Sequence, residues 1–240
     1  MTKIIAISGS LRMEKSDTTK LMKPFLEGME KAGASTELFY VKRLNIKPCI
    51  GDFHCWDRKP GECILQDDMQ TLYPKLRSAD ILVLVTPVYI PLPGEMQNFI
   101  NRLCPLIEPV LVKRNGRTRA RFHEDVKIKK IVLVATSDWW EKDNLGTVLR
   151  IAQEIAEDAS VEFAGAILRP HASLMDENKD KAKIVFDALK QAGFQLVKEG
   201  RIADELLDTI SQPLVDEDAL MQRFNESYER VKSRTNTQSK

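Results

Sequence analysis

Apolar positions fall along this chain in two rhythms. Short, nearly unbroken apolar runs stand at KIIAIS (3–8), STELFYV (35–41), DILVLVTPVY (80–89), KIVLVATS (130–137) and VEFAGAIL (161–168). Runs of this length rich in β-branched residues predict strands, and the unbroken ones predict strands buried on both faces. Between them the spacing becomes helical. Leu21, Met22, Phe25, Leu26 and Met29 share a face within 18–33, and Leu145, Val148, Leu149, Ala152 and Ile155 do so within 144–159. Helices are also predicted over 94–106 and over 180–200, the latter ending in Gly. Pro24 removes a hydrogen bond inside the first of these, which predicts a kink or a late start. Alternating strands and helices predict an α/β fold, a doubly wound parallel sheet with helices on both faces. Five strands favour the order 2-1-3-4-5 over a six-stranded dinucleotide fold.

Two segments do not fit that minimal plan: residues 42–69, and 107–127 between the third helix and the fourth strand. Residues 201–232 read as helical and partly amphipathic, and the polar 233–240 (SRTNTQSK) as disordered. The expected organisation is one domain over 1–200 carrying the insertion 42–69, then a helical extension and polar tail over 201–240. The extension either completes the core or covers a dimer interface.

Composition narrows the classes. The chain has 240 residues, with 36 Lys+Arg against 35 Asp+Glu and a net charge of +1. So balanced a surface offers no field to draw in nucleic acid or an anionic membrane, and neither partner is expected. No apolar run approaches the ~18 residues of a membrane span. The apolar stretch in MTKIIAISGS is too short for a signal peptide. The expected compartment is the cytoplasm, where thiols stay reduced and clustered cysteines favour metal, cluster or redox roles.

Candidate chemistry begins after the first strand, in SGSLRMEKSDTT (8–19). Ser8, Ser10, Ser16, Thr18 and Thr19 supply short hydroxyls, Gly9 permits close backbone approach, and a helix start adds free amides. In an open parallel sheet, ligands bind outside the carboxyl ends of the strands. The loop therefore suits a monoester phosphate; an ordinary polar turn with a helix cap is the plain alternative. Neither G-x-x-x-x-G-K-[ST] nor G-x-G-x-x-G occurs there.

SGSLRMEKSDTTKL resembles the phosphate loop of the NADPH-dependent FMN reductase family, within the flavodoxin-like superfamily. TPVYIPLPGEMQNFINRL (86–103) resembles that family's segment after the third strand. The cysteine stretch with the DDM that follows is similar to that of the iron–sulfur flavoproteins in the same family. The likeness covers residues 3–105 and continues more weakly through VLVATSDWWEKDNL and EFAGAILRP. It implies a flavodoxin-like fold and bound FMN, with phosphate contacts from Ser8, Ser10, Arg12, Ser16 and Thr18. Pro87, Val88 and Tyr89 would border the isoalloxazine, and Thr136, Ser137 and Asp138 would form a third contact. Leu11, Lys15, Ile90 and Pro91 depart from the family pattern. The implied activity is hydride transfer from NAD(P)H to the flavin and on to a quinone, free flavin or other small acceptor. Two alternatives stand beside it: an iron–sulfur flavoprotein fed by a ferredoxin-like partner, and a flavin-binding protein without turnover. By similarity, a homodimer or homotetramer is expected.

PCIGDFHCWDRKPGEC (48–63) keeps the spacing of the compact iron–sulfur motif with its second ligand changed: Cys49, Asp52, Cys55, Cys63. Clusters ordinarily take four thiolates, although a carboxylate can also ligate iron. Four readings stay open: a cluster completed by Asp52 or by His54, a three-iron cluster, another metal, or a loop with no cluster. Cys104, about 40 residues away, reads as a core thiol. Trp139 and Trp140 read equally as a ring wall or as packing. His123 and His171 belong to no catalytic constellation. The basic run Lys113, Arg114, Arg117, Arg119 and Arg121 reads as a solvated connection or oligomer contact more readily than as a 2′-phosphate site.

Overall fold

The structure, a computed structural model, describes residues 1–238. Five parallel strands form the sheet: β1 (Lys3–Ser8), β2 (Ser35–Tyr40), β3 (Ile81–Pro87), β6 (Lys130–Thr136) and β7 (Glu162–Arg169). Their order is β2-β1-β3-β6-β7, the expected 2-1-3-4-5 of a flavodoxin-like α/β fold once sheet strands alone are counted. Side chains alternate across the sheet with the strand period of two. Ile4, Ala6, Val83, Val85, Val132 and Val134 enter one core, beneath helices α1 (Asp17–Lys31) and α5 (Lys179–Glu199). Ile5, Ile7, Leu82, Leu84, Ile131 and Leu133 enter the other, beneath α2 (Met69–Ser78), α3 (Gly94–Asn101) and α4 (Gly146–Ala159).

α1 and α5 meet backbone to backbone. A Cβ on Gly28 would lie 2.0 Å from the Lys190 carbonyl oxygen, and one on Gly193 would lie 2.0 Å from that of Phe25. α1 begins at Asp17, well before Pro24, so the proline sits inside the helix and does not delay its start.

Residues 107–122 form an antiparallel hairpin, β4 (Ile107–Arg114) and β5 (Arg117–Phe122). Asn115 and Gly116 turn it with positive φ at both positions, 49° and 75°. Its arginines find partners within the chain. Arg117 and Arg119 pair with Glu154 and Glu157 of α4, and Arg121 pairs with Glu108 at 2.6 Å. Arg114 bonds the Glu157 carbonyl and the Ser160 hydroxyl.

Beyond residue 200 come α6 (Asp204–Ser211) and α7 (Glu217–Gln238). Ile210, Leu214 and Leu220 are buried in the α1/α5 core. The tail expected to be disordered is helical as far as Gln238; Ser239 and Lys240 lie outside the described residues.

Candidate functional site

The carboxyl ends of β1, β3 and β6 converge on a cleft of about 200 Å³. Ten of the eleven residues expected to hold a cofactor line it: Ser10, Arg12, Ser16, Thr18, Pro87, Val88, Tyr89, Thr136, Ser137 and Asp138. Ser8 does not. It is fully buried at the end of β1, and its Oγ accepts the Ser10 amide at 3.4 Å. It therefore shapes the loop from beneath. Gly9 also differs from expectation, because Met96 of α3 takes the space beside it: a Cβ there would lie 2.7 Å from the Met96 Cβ.

Ser16 is the N-cap of α1. Its Oγ accepts the Thr19 amide at 3.1 Å and donates to the Met13 carbonyl at 2.8 Å. The cap satisfies one first-turn amide, and Ser16, Asp17 and Thr18 at this helix start line the cleft. Thr18 and Thr136 bind each other through their hydroxyls at 2.7 Å, tying α1 to β6 across the cleft floor. Ser137 Oγ is buried and has no protein partner. Asp138 Oδ1 accepts the Ser173 amide at 3.1 Å, which orders the third loop. Asp17, which sequence reasoning did not single out, also lines the mouth. Its carboxylate pairs with Arg12 at 3.6 Å and Lys20 at 3.0 Å. Lys20 is held above its usual pKa by Asp176, against the opposing effect of burial. Tyr89 stays half exposed at the rim, ready to cover a planar ligand. Trp139 is exposed, whereas Trp140 packs on the core with its indole N–H on the Val215 carbonyl at 3.2 Å.

His171 follows β7 and is fully buried. Its Nε2 accepts from the Leu214 amide at 3.0 Å and lies 2.8 Å from Arg169 Nη2. Burial first, then the neighbouring Arg169 charge, push its pKa down to about 4. Arg169 is itself lowered to about 10 by burial. It donates to the Ile210 carbonyl at 2.6 Å and the Pro170 carbonyl at 2.9 Å.

A second, larger cavity of about 370 Å³ lies under residues 49–65. Cys49, Asp52, Cys55 and Cys63 line it together with Cys104, from the single turn Cys104–Leu106 after α3. Cys104 is thus a half-buried wall residue, not a core thiol. All four cysteines are free. The Cys55 and Cys104 thiols bond each other; burial raises both, Cys104 to about 12. Among the described residues, no three His, Cys, Asp or Glu side chains gather closely enough for a single metal ion.

A hydroxyl-lined cleft over the switch point of a 2-1-3-4-5 sheet, with a helix start at one end and Pro87, Val88 and Tyr89 at the other, has the placement of a ligand site in a flavodoxin-like fold. The chain belongs to the NADPH-dependent FMN reductase family, whose model matches residues 2–139, more than half of its length. An iron–sulfur flavoprotein of Methanocaldococcus jannaschii is 36% identical over 87 residues, 36% of this chain and 44% of that protein. The chain spans less than half the length of the first such curated relatives. Among solved structures, an FMN-dependent NADH-azoreductase from Bacillus anthracis in complex with FMN has a TM-score of 0.56 at 12% identity, covering 82% of this chain and 100% of that one. The NAD(P)H:quinone oxidoreductase from Methanothermobacter marburgensis has a TM-score of 0.55 at 17% identity, covering 81% and 96%. At such identities the likeness is one of fold.

Proposed function

We propose that the chain binds FMN in the cleft at β1, β3 and β6 and works as an NAD(P)H-dependent oxidoreductase that passes electrons to a quinone, flavin or other small acceptor. The observation that carries this reading is Ser137 Oγ, a buried hydroxyl without a protein partner, in a cleft whose other walls already suit a flavin nucleotide. A buried polar atom left alone costs free energy that a bound polar group would recover. The first-turn amides of α1, Ser10 and Arg12 would hold the phosphate, with Arg12 giving a charge-assisted bond. Thr18 belongs to the same end through its tie to Thr136. Pro87, Val88 and Tyr89 would border the ring, and Thr136, Ser137 and Asp138 would face its polar edge. FMN supplies the redox chemistry, accepting a hydride and handing electrons on, so no side chain need act as acid or base. His171, fully buried and neutral with its Nε2 taken by the Leu214 amide, is not called on for proton transfer. Leaving Tyr89 half exposed keeps the ring open to a donor and an acceptor in turn.

The test is anaerobic titration of the chain with FMN, followed by NADPH or NADH in stoppered cuvettes. Tight one-to-one FMN binding and rapid bleaching by either donor support the reading. Failure to bind FMN overturns it, and tight FMN that no pyridine nucleotide bleaches leaves a flavin-binding protein without this turnover.

One observation favours a second reading, the iron–sulfur flavoprotein fed by a ferredoxin-like partner: the four cysteines at one cavity. Four free thiols also suit a reducing, cytoplasmic setting. Among the described residues, no helix is long and apolar enough to cross a membrane. A homodimer or homotetramer is part of the proposal, with the exposed apolar face of α7 as its seam.

A further inference from the structure

The three cysteines of the loop share their cavity with a fourth that lies 41 positions beyond Cys63 in the chain. We infer that Cys49, Cys55, Cys63 and Cys104 together form the cage of a polynuclear iron–sulfur cluster, with Cys104 as the fourth ligand and Asp52 outside the ligand set. This deepens the second reading above and does not depend on FMN.

Several features of the structure carry it. The donors are soft thiolates, the set that selects iron–sulfur clusters over hard-cation sites. A cubane spreads its terminal sulfurs widely around a metal–sulfide core. The cavity, about 370 Å³ and lined by all four cysteines, has room for such a core.

The Cys104 turn is also fastened to the cysteine loop by side chains. The Trp56 indole N–H donates to the Cys104 carbonyl at 3.3 Å. Arg77 Nη2 bridges the Gly61 carbonyl at 3.0 Å and the Pro105 carbonyl at 3.1 Å. The residue after Cys55 and the stretch before Cys63 are therefore held against the turn that carries Cys104.

Arg102 lines the same cavity, is 1% exposed, and is locked by Asp67 through Nη1 at 2.6 Å and Nη2 at 3.1 Å. Its Nε has no protein acceptor. A buried N–H donor without a partner, beside four thiols, suits a sulfide or thiolate sulfur of an anionic cluster. Finally, Ile50, Phe53 and Ile64, themselves exposed on their outer sides, give the cavity an apolar lining beside its thiols. Asp52 is exposed and no side-chain or backbone group orders it, whereas Cys104 is fixed.

The test is anaerobic reconstitution of the whole chain with ferrous iron and sulfide. Iron, sulfide and FMN are then quantified per chain, and electron paramagnetic resonance spectra recorded before and after dithionite. Wild type and Asp52→Ala should each hold about four irons with the same reduced-state signal, as a four-thiolate cluster requires. Cys104→Ser should lose the cluster or fall to about three irons, with a changed signal. Loss of iron in Asp52→Ala, full iron in Cys104→Ser, or an iron-free wild type would each overturn the inference. Should Cys104→Ser fail to fold, Asp52→Ala, altered only at an exposed position, still decides between carboxylate and thiolate. FMN content in the same samples reports on the flavin reading separately: iron without FMN sinks that reading and leaves this one standing.

Discussion

Ser137 offers the sharpest test at the level of single atoms. Its hydroxyl is buried and unpartnered, so Ser137→Ala removes a penalty from the ligand-free chain while removing a donor for bound FMN. Urea unfolding of apo Ser137→Ala should show stability equal to or above wild type. Its FMN dissociation constant, from flavin fluorescence quenching, should rise about fivefold to tenfold, the ~1 kcal/mol of a neutral hydrogen bond. A destabilised variant with unchanged FMN affinity would place the hydroxyl in the fold and not at the ligand. Much of the cleft was legible in the chain because its three walls each follow a strand directly, and short hydroxyl residues stand there in sequence. The misassigned atoms are those whose direction is set by contacts the sequence does not display. Ser8 points under the loop, and Gly9 answers to Met96 on another element. Cys104 was missed as a wall of the second cavity for the same reason: only the folding of α3 across the sheet brings its turn beneath the cysteine loop.

Elements were read well where the apolar period was clean and poorly where something interrupted it. α2 has Met69, Leu72, Tyr73 and Leu76 on its buried face, a full helical stripe, but Pro74 and the adjoining cysteine stretch hid it. The β4–β5 hairpin announced itself only through Asn115-Gly116, a two-residue turn between a first strand interrupted by Glu108 and Pro109 and a second, RTRARF, that is mostly basic. The glycines of the α1/α5 crossing carry no local signal at all. Gly193→Ala would drive a methyl group against the Phe25 carbonyl, and neither backbone can yield without moving a helix. Overpacking of this kind costs about 1–3 kcal/mol or more, which a urea denaturation midpoint would show. His171 couples another pair of elements, β7 and the segment after α6, by accepting the Leu214 amide. Arg169 and Lys181 are the charges around it. Its folded pKa, about 4, lies below the ordinary 6.5. Between those values the unfolded chain takes up a proton that the native chain refuses. The stabilisation is therefore complete above about pH 6.5 and is lost as pH falls toward 4, by up to ~3 kcal/mol at ~1.4 kcal/mol per unit. Unfolding midpoints measured from pH 7 to 4.5 should fall for wild type and flatten for His171→Gln, which keeps an acceptor without titrating. Equal slopes would assign the acid sensitivity elsewhere.

At the scale of the whole molecule, both faces of the sheet are covered, and the extension after residue 200 adds to only one of them, through Ile210, Leu214 and Leu220. The sequence left open whether that extension completes the core or covers an interface, because a partly amphipathic helix is compatible with either. The segment through Leu220 is anchored in the core, and α7 then presents Met221, Phe224 and Tyr228, 54%, 43% and 65% exposed, at helical spacing along one face. That spacing of three and four residues is the seam of a two-helix contact. Beside it Arg223 pairs with Glu177 and Arg230 with Glu226 within the chain, so a self-contact there would rest on the apolar face. A chain whose rim Tyr89 is left half open would also gain ring cover if the copies approach on that side. Phe224→Lys combined with Tyr228→Lys should therefore convert the proposed dimer to a monomer in sedimentation velocity at micromolar concentration, with circular dichroism unchanged. A wild type that sediments as a monomer, or a double variant that remains dimeric, would remove α7 from the interface and leave its apolar face without a self-contact.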